Sequence, residues 1–238
     1  MVGLGPGNAL DRTPRASAAI AASSVIVGYR AYVDQITDLT AGKQVIATAM
    51  LQETERCRQA LELAAGGHVV SLVSSGDPGI YGMAGLAYEL AEALQLDVEI
   101  EIVPGMTAAS TAAARLGAPL MLDFAVISLS DLLVPWEQIV NRLHAVAQAD
   151  LAVALYNPRS HRRVEQLRQA AAIFLEHRAA STPVGIATAL GAPDEHVLLS
   201  TLGSFLDAEI NMRSIVLVGS SSTRVINGKM VTPRGYQL

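Results

Sequence analysis

Three short stretches of the sequence hold residues whose types and spacing could do chemistry: GLGPG at 3–7, SSGDPGIYG at 74–82 and VPGMTAAS at 103–110. The last two follow apolar, β-rich runs and precede alanine-rich helical ones, which places them at strand-to-helix junctions. Glycine there permits positive φ and removes the side chain that would hold a ligand off the main chain. Asp77 and Pro78 alone admit a plainer reading, a helix cap followed by proline at the first helical position. That leaves Gly76, Gly79 and Gly82 unexplained, since a glycine inside a helix costs roughly 0.5–1 kcal/mol against alanine. Gly105, Thr107, Ala108 and Ala109 would add a floor of small residues and N–H groups receptive to an anion. Open α/β sheets bind ligands at the carboxyl ends of their strands, where these stretches fall.

The commonest nucleotide-binding reading does not fit. After Gly3 and Gly5 the dinucleotide fingerprint needs a third glycine where Asn8 stands. It also needs a carboxylate ending the second strand, and SSVIVGYRAYV at 23–33 has none.

The elements that must position these residues alternate between strand and helix. HVVSLVSS (68–75) leads to MAGLAYELAEAL (83–94), and DVEIEIVPG (97–105) to MTAASTAAARLG (106–117). Such βα units predict a largely parallel sheet. LAVALYNP (151–158), TPVGIAT (182–188), HVLLSTL (196–202) and SIVLVGSS (214–221) read as strands of a second sheet, with a long helix over 160–178. The character changes around 105–120, so the sequence divides into an α/β domain at 1–110 and another at 111–238. Ahead of the first glycine stand only Met1 and Val2, so the strand expected there is very short or begins earlier than this sequence.

Composition narrows the function classes. With 51% hydrophobic and 16% charged residues, the chain folds around a core rather than staying disordered. A net charge of −5 gives no overall attraction for nucleic acid. Cys57 is the single cysteine, so neither an internal disulfide nor a cysteine cage for a metal can form. The five histidines are scattered without metal-ligand spacing, and no protein metal site is expected. No apolar stretch approaches the roughly 20 residues that span a bilayer, and the start lacks a charged segment before an apolar one, so a cytoplasmic protein without membrane contact is expected.

VGLGPGN (2–8), SSGDPGIYGMAG (74–85), VPGMTAAS, GAPLMLDFAVISLSDLLVPWE (117–137), ALYNPRS (154–160), IVLVGSSST (215–223) and MVTPRGY (230–236) resemble the successive motifs of the tetrapyrrole (corrin/porphyrin) methylases. DFAVISLSDLLVPWE and MVTPRGY point to the branch that methylates C17 of precorrin-3B or its cobalt counterpart, contracting the ring by expelling C20. The resemblance implies two α/β domains with an intervening cleft, S-adenosylmethionine as methyl donor, S-adenosylhomocysteine as product, and a homodimer. By similarity Gly76, Asp77, Pro78, Ile80, Tyr81, Thr107 and Ala108 would line the donor's pocket from the first domain. Tyr156, Asn157, Thr188, Ala189 and Leu190 would complete it from the second. Gly5, Pro6 and Gly7 would lie nearer the tetrapyrrole. Uroporphyrinogen-methylating relatives carry an aspartate where this chain has Tyr29, which argues against that reaction.

Arg159, His161, Arg162 and Arg163 open the long helix, where its dipole disfavours cations. They form either a solvated or dimer-facing patch or a site for the ring's carboxylates, in which case Arg159 and Arg162 are the substrate candidates. Arg30 and Arg234 are weaker ones. Ring contraction needs proton movement, for which Ser128, Ser130 and Asp131 are candidates, while helix capping is the plainer reading of Ser130 and Asp131. Alternatives are another corrin-pathway methyltransferase, acting for example at C11 or C20, or a non-catalytic metabolite-binding protein on the same fold.

Overall fold

Val25, Ile26 and Val27 are all buried, as are Leu72 and Val73, so these runs are covered on both faces as a parallel strand must be. The structure is a computed structural model and describes residues 1–160 and 163–237. The chain divides into two units, Met1–Ala108 and Ala109–Leu238.

Unit 1 runs β1 (Val2–Gly3), α1 (Pro14–Ala22), β2 (Val25–Tyr29), α2 (Arg30–Val33), β3 (Gln44–Thr48), α3 (Glu53–Ala65), β4 (Val70–Ser74) and α4 (Ala84–Ala93). The sheet order is β1-β4-β2-β3 and every pairing is parallel. Helix α1 starts where its sequence says it should: the Thr13 side chain accepts from the Ala16 N–H and Pro14 occupies the first turn. The strand expected over 97–105 is reduced to one parallel bridge, Val103 to Val2. The reason is length, because β1 has two residues and offers no ladder to residues 97–102.

Cys57 packs in the core of unit 1 with Val25, Val27, Ala60, Leu72 and Ala87. Burial pushes its thiol pKa up to about 11. The thiolate is the nucleophile, so Cys57 should resist a disulfide reagent at pH 8 in the folded protein and react fully once denatured. Fast labelling of the native protein would contradict this burial.

Unit 2 begins with α5 (Ala108–Leu116, its first residue at the unit boundary) and β5 (Gly117–Ala118), then β6 (Phe124–Ser128), α6 (Trp136–Gln148), β7 (Ala152–Tyr156) and α7 (Glu165–Leu175). It continues with β8 (Pro183–Thr188), β9 (His196–Thr201), β10 (Ser214–Val218), β11 (Arg224–Ile226) and β12 (Lys229–Val231). The five-stranded sheet has the order β6-β7-β10-β8-β9. β6 and β7 are parallel, and β10 lies antiparallel between β7 and β8, so β6, β7 and β8 all point the same way. Leu143, Leu155, Phe174, Ile186, Phe205 and Val216 form the centre of its core. Among the described residues, no helix is long and apolar enough to cross a membrane.

Candidate functional site

In unit 1 the three glycine stretches form one knot at the carboxyl ends of the strands. Gly5 and Gly76 exchange backbone hydrogen bonds, N–H of Gly5 to O of Gly76 at 3.2 Å and N–H of Gly76 to O of Gly5 at 2.8 Å. Asp77 then ties in the third stretch: its Oδ2 accepts from the Gly105 N–H at 3.1 Å and its Oδ1 from the Gly79 N–H at 2.8 Å. A Cβ on Gly105 would lie 2.1 Å from the Gly76 carbonyl oxygen, and one on Gly3 would lie 2.7 Å from the same atom. The close approach that needs glycine at 3 and 105 is therefore of main chain to main chain. Gly76 has a different reason, a φ of +62° that side chains rarely adopt.

This geometry corrects the capping reading of Asp77. Helix α4 begins at Ala84 with Met83 at its N-cap position, so Asp77 and Pro78 precede any helix by several residues. Asp77 is a clamp between two loops. Asp77→Ala strands two N–H groups and should cost about 1–3 kcal/mol, whereas Asp77→Asn retains one acceptor and should cost less. Urea unfolding of both variants, with unchanged slope, checks the order.

Asn8, where a dinucleotide fold would have glycine, closes a local turn: it accepts from the Asp11 N–H at 2.8 Å and donates to the Asp11 carboxylate at 2.7 Å. Tyr29 stacks edge-to-face on Tyr32 with ring centres 5.1 Å apart, above the buried Arg56. Burial raises the Tyr32 phenol's pKa. The Gln35 amide was not anticipated. It packs against Gly7, and its Oε1 is buried without a hydrogen-bond partner. Nothing in an isolated glutamine signals this; only the Gly7 turn beside it gives it a place.

In unit 2 the shared direction of β6, β7 and β8 brings Ser128, Tyr156 and Thr188 out at one end of the sheet. Ser128 lies opposite Tyr156 in register. The Ser128 hydroxyl accepts from the Asn157 amide at 2.9 Å and from the Ser130 N–H at 3.2 Å. Tyr156 Oη accepts from the Ala109 N–H at 2.8 Å, capping the first turn of α5. Thr188 shares a 2.8 Å hydroxyl contact with Ser214. Leu190 follows one residue beyond Ala189.

Asp131 accepts from the Gln166 amide at 2.9 Å. Neither it nor Ser130 caps α6, whose N-cap position is Pro135 with no side-chain bond. The two following residues, Leu132 and Leu133, are 71% and 91% exposed, an apolar tip that the sequence reading passed over.

The expected helix over 160–178 is shorter. Helix α7 starts at Glu165, so the arginines precede it and its first turn is acidic. Arg163 braces the loop, donating to the Asn157 carbonyl at 3.0 and 3.2 Å. Arg159 is half-buried. His161 and Arg162 lie outside the described residues.

Three candidate residues other than glycine hold left-handed backbone: Tyr81 at φ +53°, Asn157 at +50° and Ala189 at +57°. Asn157 and Ala189 stand immediately after β7 and β8. For alanine this region costs on the order of 1 kcal/mol or more and persists only where the surroundings enforce it. Ala189 is held by its N–H on the Arg213 carbonyl at 3.0 Å. Strain of this kind gathers at ligand-binding loops. A cavity of about 560 Å³ in unit 1 lies at the other end of its sheet, lined by Met1, Val70, Ser71 and residues 97–101, and none of the candidates lines it.

Residues 1–206 match the family described as Tetrapyrrole (Corrin/Porphyrin) Methylases. The chain is 47% identical to the "Probable cobalt-factor III C(17)-methyltransferase" of Salmonella typhimurium, covering 100% of this chain and 99% of that one. It is 44% identical to the "Cobalt-factor III methyltransferase" of Priestia megaterium, covering 100% of this chain but 45% of that longer protein. The crystal structure of the methyltransferase CobJ superposes with a TM-score of 0.91 at 40% identity, covering 98% of each chain. A uroporphyrin-III C-methyltransferase from Thermus thermophilus complexed with S-adenyl homocysteine shares the fold at a TM-score of 0.70 and 23% identity, over 92% of this chain and 95% of that one.

Proposed function

Because the chain belongs to the tetrapyrrole (corrin/porphyrin) methylases, we propose that it transfers a methyl group from S-adenosylmethionine to C17 of cobalt-factor III, with ring contraction, in cobalamin biosynthesis. The likeness that carries this is the 47% identity along the whole length of the Salmonella protein. The alternatives, methylation at another carbon or mere metabolite binding, have no observation of similar weight.

The residues suit a sulfonium donor. The methyl leaves with its bond electrons staying on sulfur, and a new carbon–carbon bond forms, so the leaving group needs no proton. What the protein must supply is alignment and exclusion of water. Main-chain groups around Gly76, Pro78, Ile80, Tyr81, Thr107 and Ala108 from unit 1, and around Tyr156, Asn157, Thr188, Ala189 and Leu190 from unit 2, are assigned to the donor. Asp77 acts there by fixing the loop, since both its oxygens are taken. Gly5, Pro6, Gly7, Arg159 and Arg162 are assigned to the ring, with Gln35 and the Leu132–Leu133 tip as additions. Ser128, Ser130 and Asp131 are assigned to proton movement at C20. The same reading makes the enzyme a cytoplasmic homodimer.

Anaerobic incubation with S-adenosylmethionine and either cobalt-factor III or precorrin-3B, followed by product mass and ring spectrum, tests the reading. The cobalt ring should gain one methyl and contract. Calorimetric titration should show binding of both S-adenosylmethionine and S-adenosylhomocysteine. Binding of neither would remove the enzymatic reading; methylation at another carbon would move the chain to a neighbouring step.

A further inference from the structure

We propose that His144, Glu176 and His177 form a zinc site that staples the carboxyl ends of α6 and α7. The three offer one ligand atom each, all within 4.8 Å of one another. His144 Nδ1 already lies 3.8 Å from a Glu176 carboxylate oxygen. With bonds of about 2.0–2.1 Å, ligands of a tetrahedral zinc stand roughly 3.3 Å apart, so small rotations of half-exposed side chains close the site around an ion, water taking the fourth position. Two imidazoles and a carboxylate are a donor set that divalent zinc accepts readily.

The fold adds an independent reason for a cation here. Helices α6 and α7 each follow one of the parallel strands β6 and β7, so both run back along the sheet and end at the same side of it. His144 lies in the carboxyl-terminal half of α6, just before its last turn, and Glu176 and His177 directly follow α7. The negative end of α7 thus lies at the ligands, with that of α6 one turn beyond His144, and it favours positive charge there. The next cation in sequence does not serve them. Arg178 turns inward and donates to the Gly219 and Leu151 carbonyls. Among the described residues, no lysine or arginine is paired with any of the three. The sequence hid the site because its ligands lie on two helices separated by a strand.

The site sits at the opposite end of the sheet from Ser128, Tyr156 and Thr188, so it can be removed without touching the residues assigned to methyl transfer. The proposal is independent of that assignment. Titration of the metal-free protein with Zn²⁺ should show one equivalent bound per chain and a raised melting temperature. His144→Ala and His177→Ala should each weaken binding by roughly tenfold or more and abolish the thermal gain, while His68→Ala changes neither. Glu176→Gln, folded by circular dichroism, guards against a variant that fails to fold. Co²⁺ loading should give visible bands in the wild type that the His144/His177 double variant lacks. Equal zinc affinity in wild type and double variant, or zinc bound without thermal gain, would overturn the proposal.

Discussion

Gly105→Ala is expected to cut methyl transfer about 100-fold or more while leaving the rest of unit 1 folded. The substituted Cβ would stand 2.1 Å from the Gly76 carbonyl oxygen and 2.8 Å from the Gly3 carbonyl carbon. Both are backbone atoms, so no rotamer change relieves the clash. Separation of the loops by even 1 Å breaks the Asp77 bond to the Gly105 N–H and displaces the turn that carries Ile80 and Tyr81. Misplacement on that scale costs about two orders of magnitude in a reaction that depends on alignment. Overpacking adds about 1–3 kcal/mol of destabilisation. Gly85 supplies the control. It lies within α4 with nothing within 4 Å of its would-be Cβ, so Gly85→Ala should stabilise by about 0.5–1 kcal/mol and leave turnover unchanged. Steady-state rates and urea midpoints for the two variants decide the matter. Near-normal turnover by Gly105→Ala would mean that the knot does not set the donor's position.

That contrast also marks what the sequence could reveal. Apolar runs located β2, β4, β7, β8, β9 and β10: all but β9 are largely buried, continuous stretches rich in Val, Ile, Leu and Ala, and β9, an exposed antiparallel edge strand, is the apolar run HVLLST. The candidate loops were legible as glycine clusters at strand ends. Why each glycine is there was not legible, since Gly105 and Gly85 look alike until the facing carbonyl is known. The strand at 97–105 failed for a related reason: its pattern is right, but pairing depends on a partner, and β1 offers two residues. The helix expected from Ser160 starts at Glu165 instead: Ser160 accepts from the Arg163 N–H, but in a loop that Arg163 ties back to the Asn157 carbonyl, while Asp77, whose plainer reading was a helix cap, joins two loops through Gly105. Left-handed backbone at Ala189 carries no sequence mark at all.

Arg178→Leu should be the most destabilising of these substitutions, at about 3–5 kcal/mol. The Arg178 side chain is fully buried. Its guanidinium donates to the Gly219 carbonyl at 2.7 Å, the Leu151 carbonyl at 2.7 Å and the Val146 carbonyl at 3.4 Å, and it lies 4.7 Å from the Phe174 ring centre. One side chain thereby ties the end of α6, the approach to β7, α7 and the end of β10. Burial lowers its pKa and the Asp150 carboxylate, 3.6 Å from Nε, acts in the opposite direction. Leucine regains the cost of desolvating a charge but takes the donor from the Gly219 and Leu151 carbonyls, each worth about 1–3 kcal/mol when buried unsatisfied, while the Val146 carbonyl keeps the Leu151 N–H at 3.2 Å. Lysine keeps the charge and loses the planar fork, so Arg178→Lys should fall between. Because the residue lies at the amino end of β7 and the candidate residues at its carboxyl end, the variants should retain turnover per folded molecule at low temperature while losing it early on heating. A denaturant midpoint for Arg178→Leu within about 1 kcal/mol of wild type would show that water, not this guanidinium, satisfies those carbonyls.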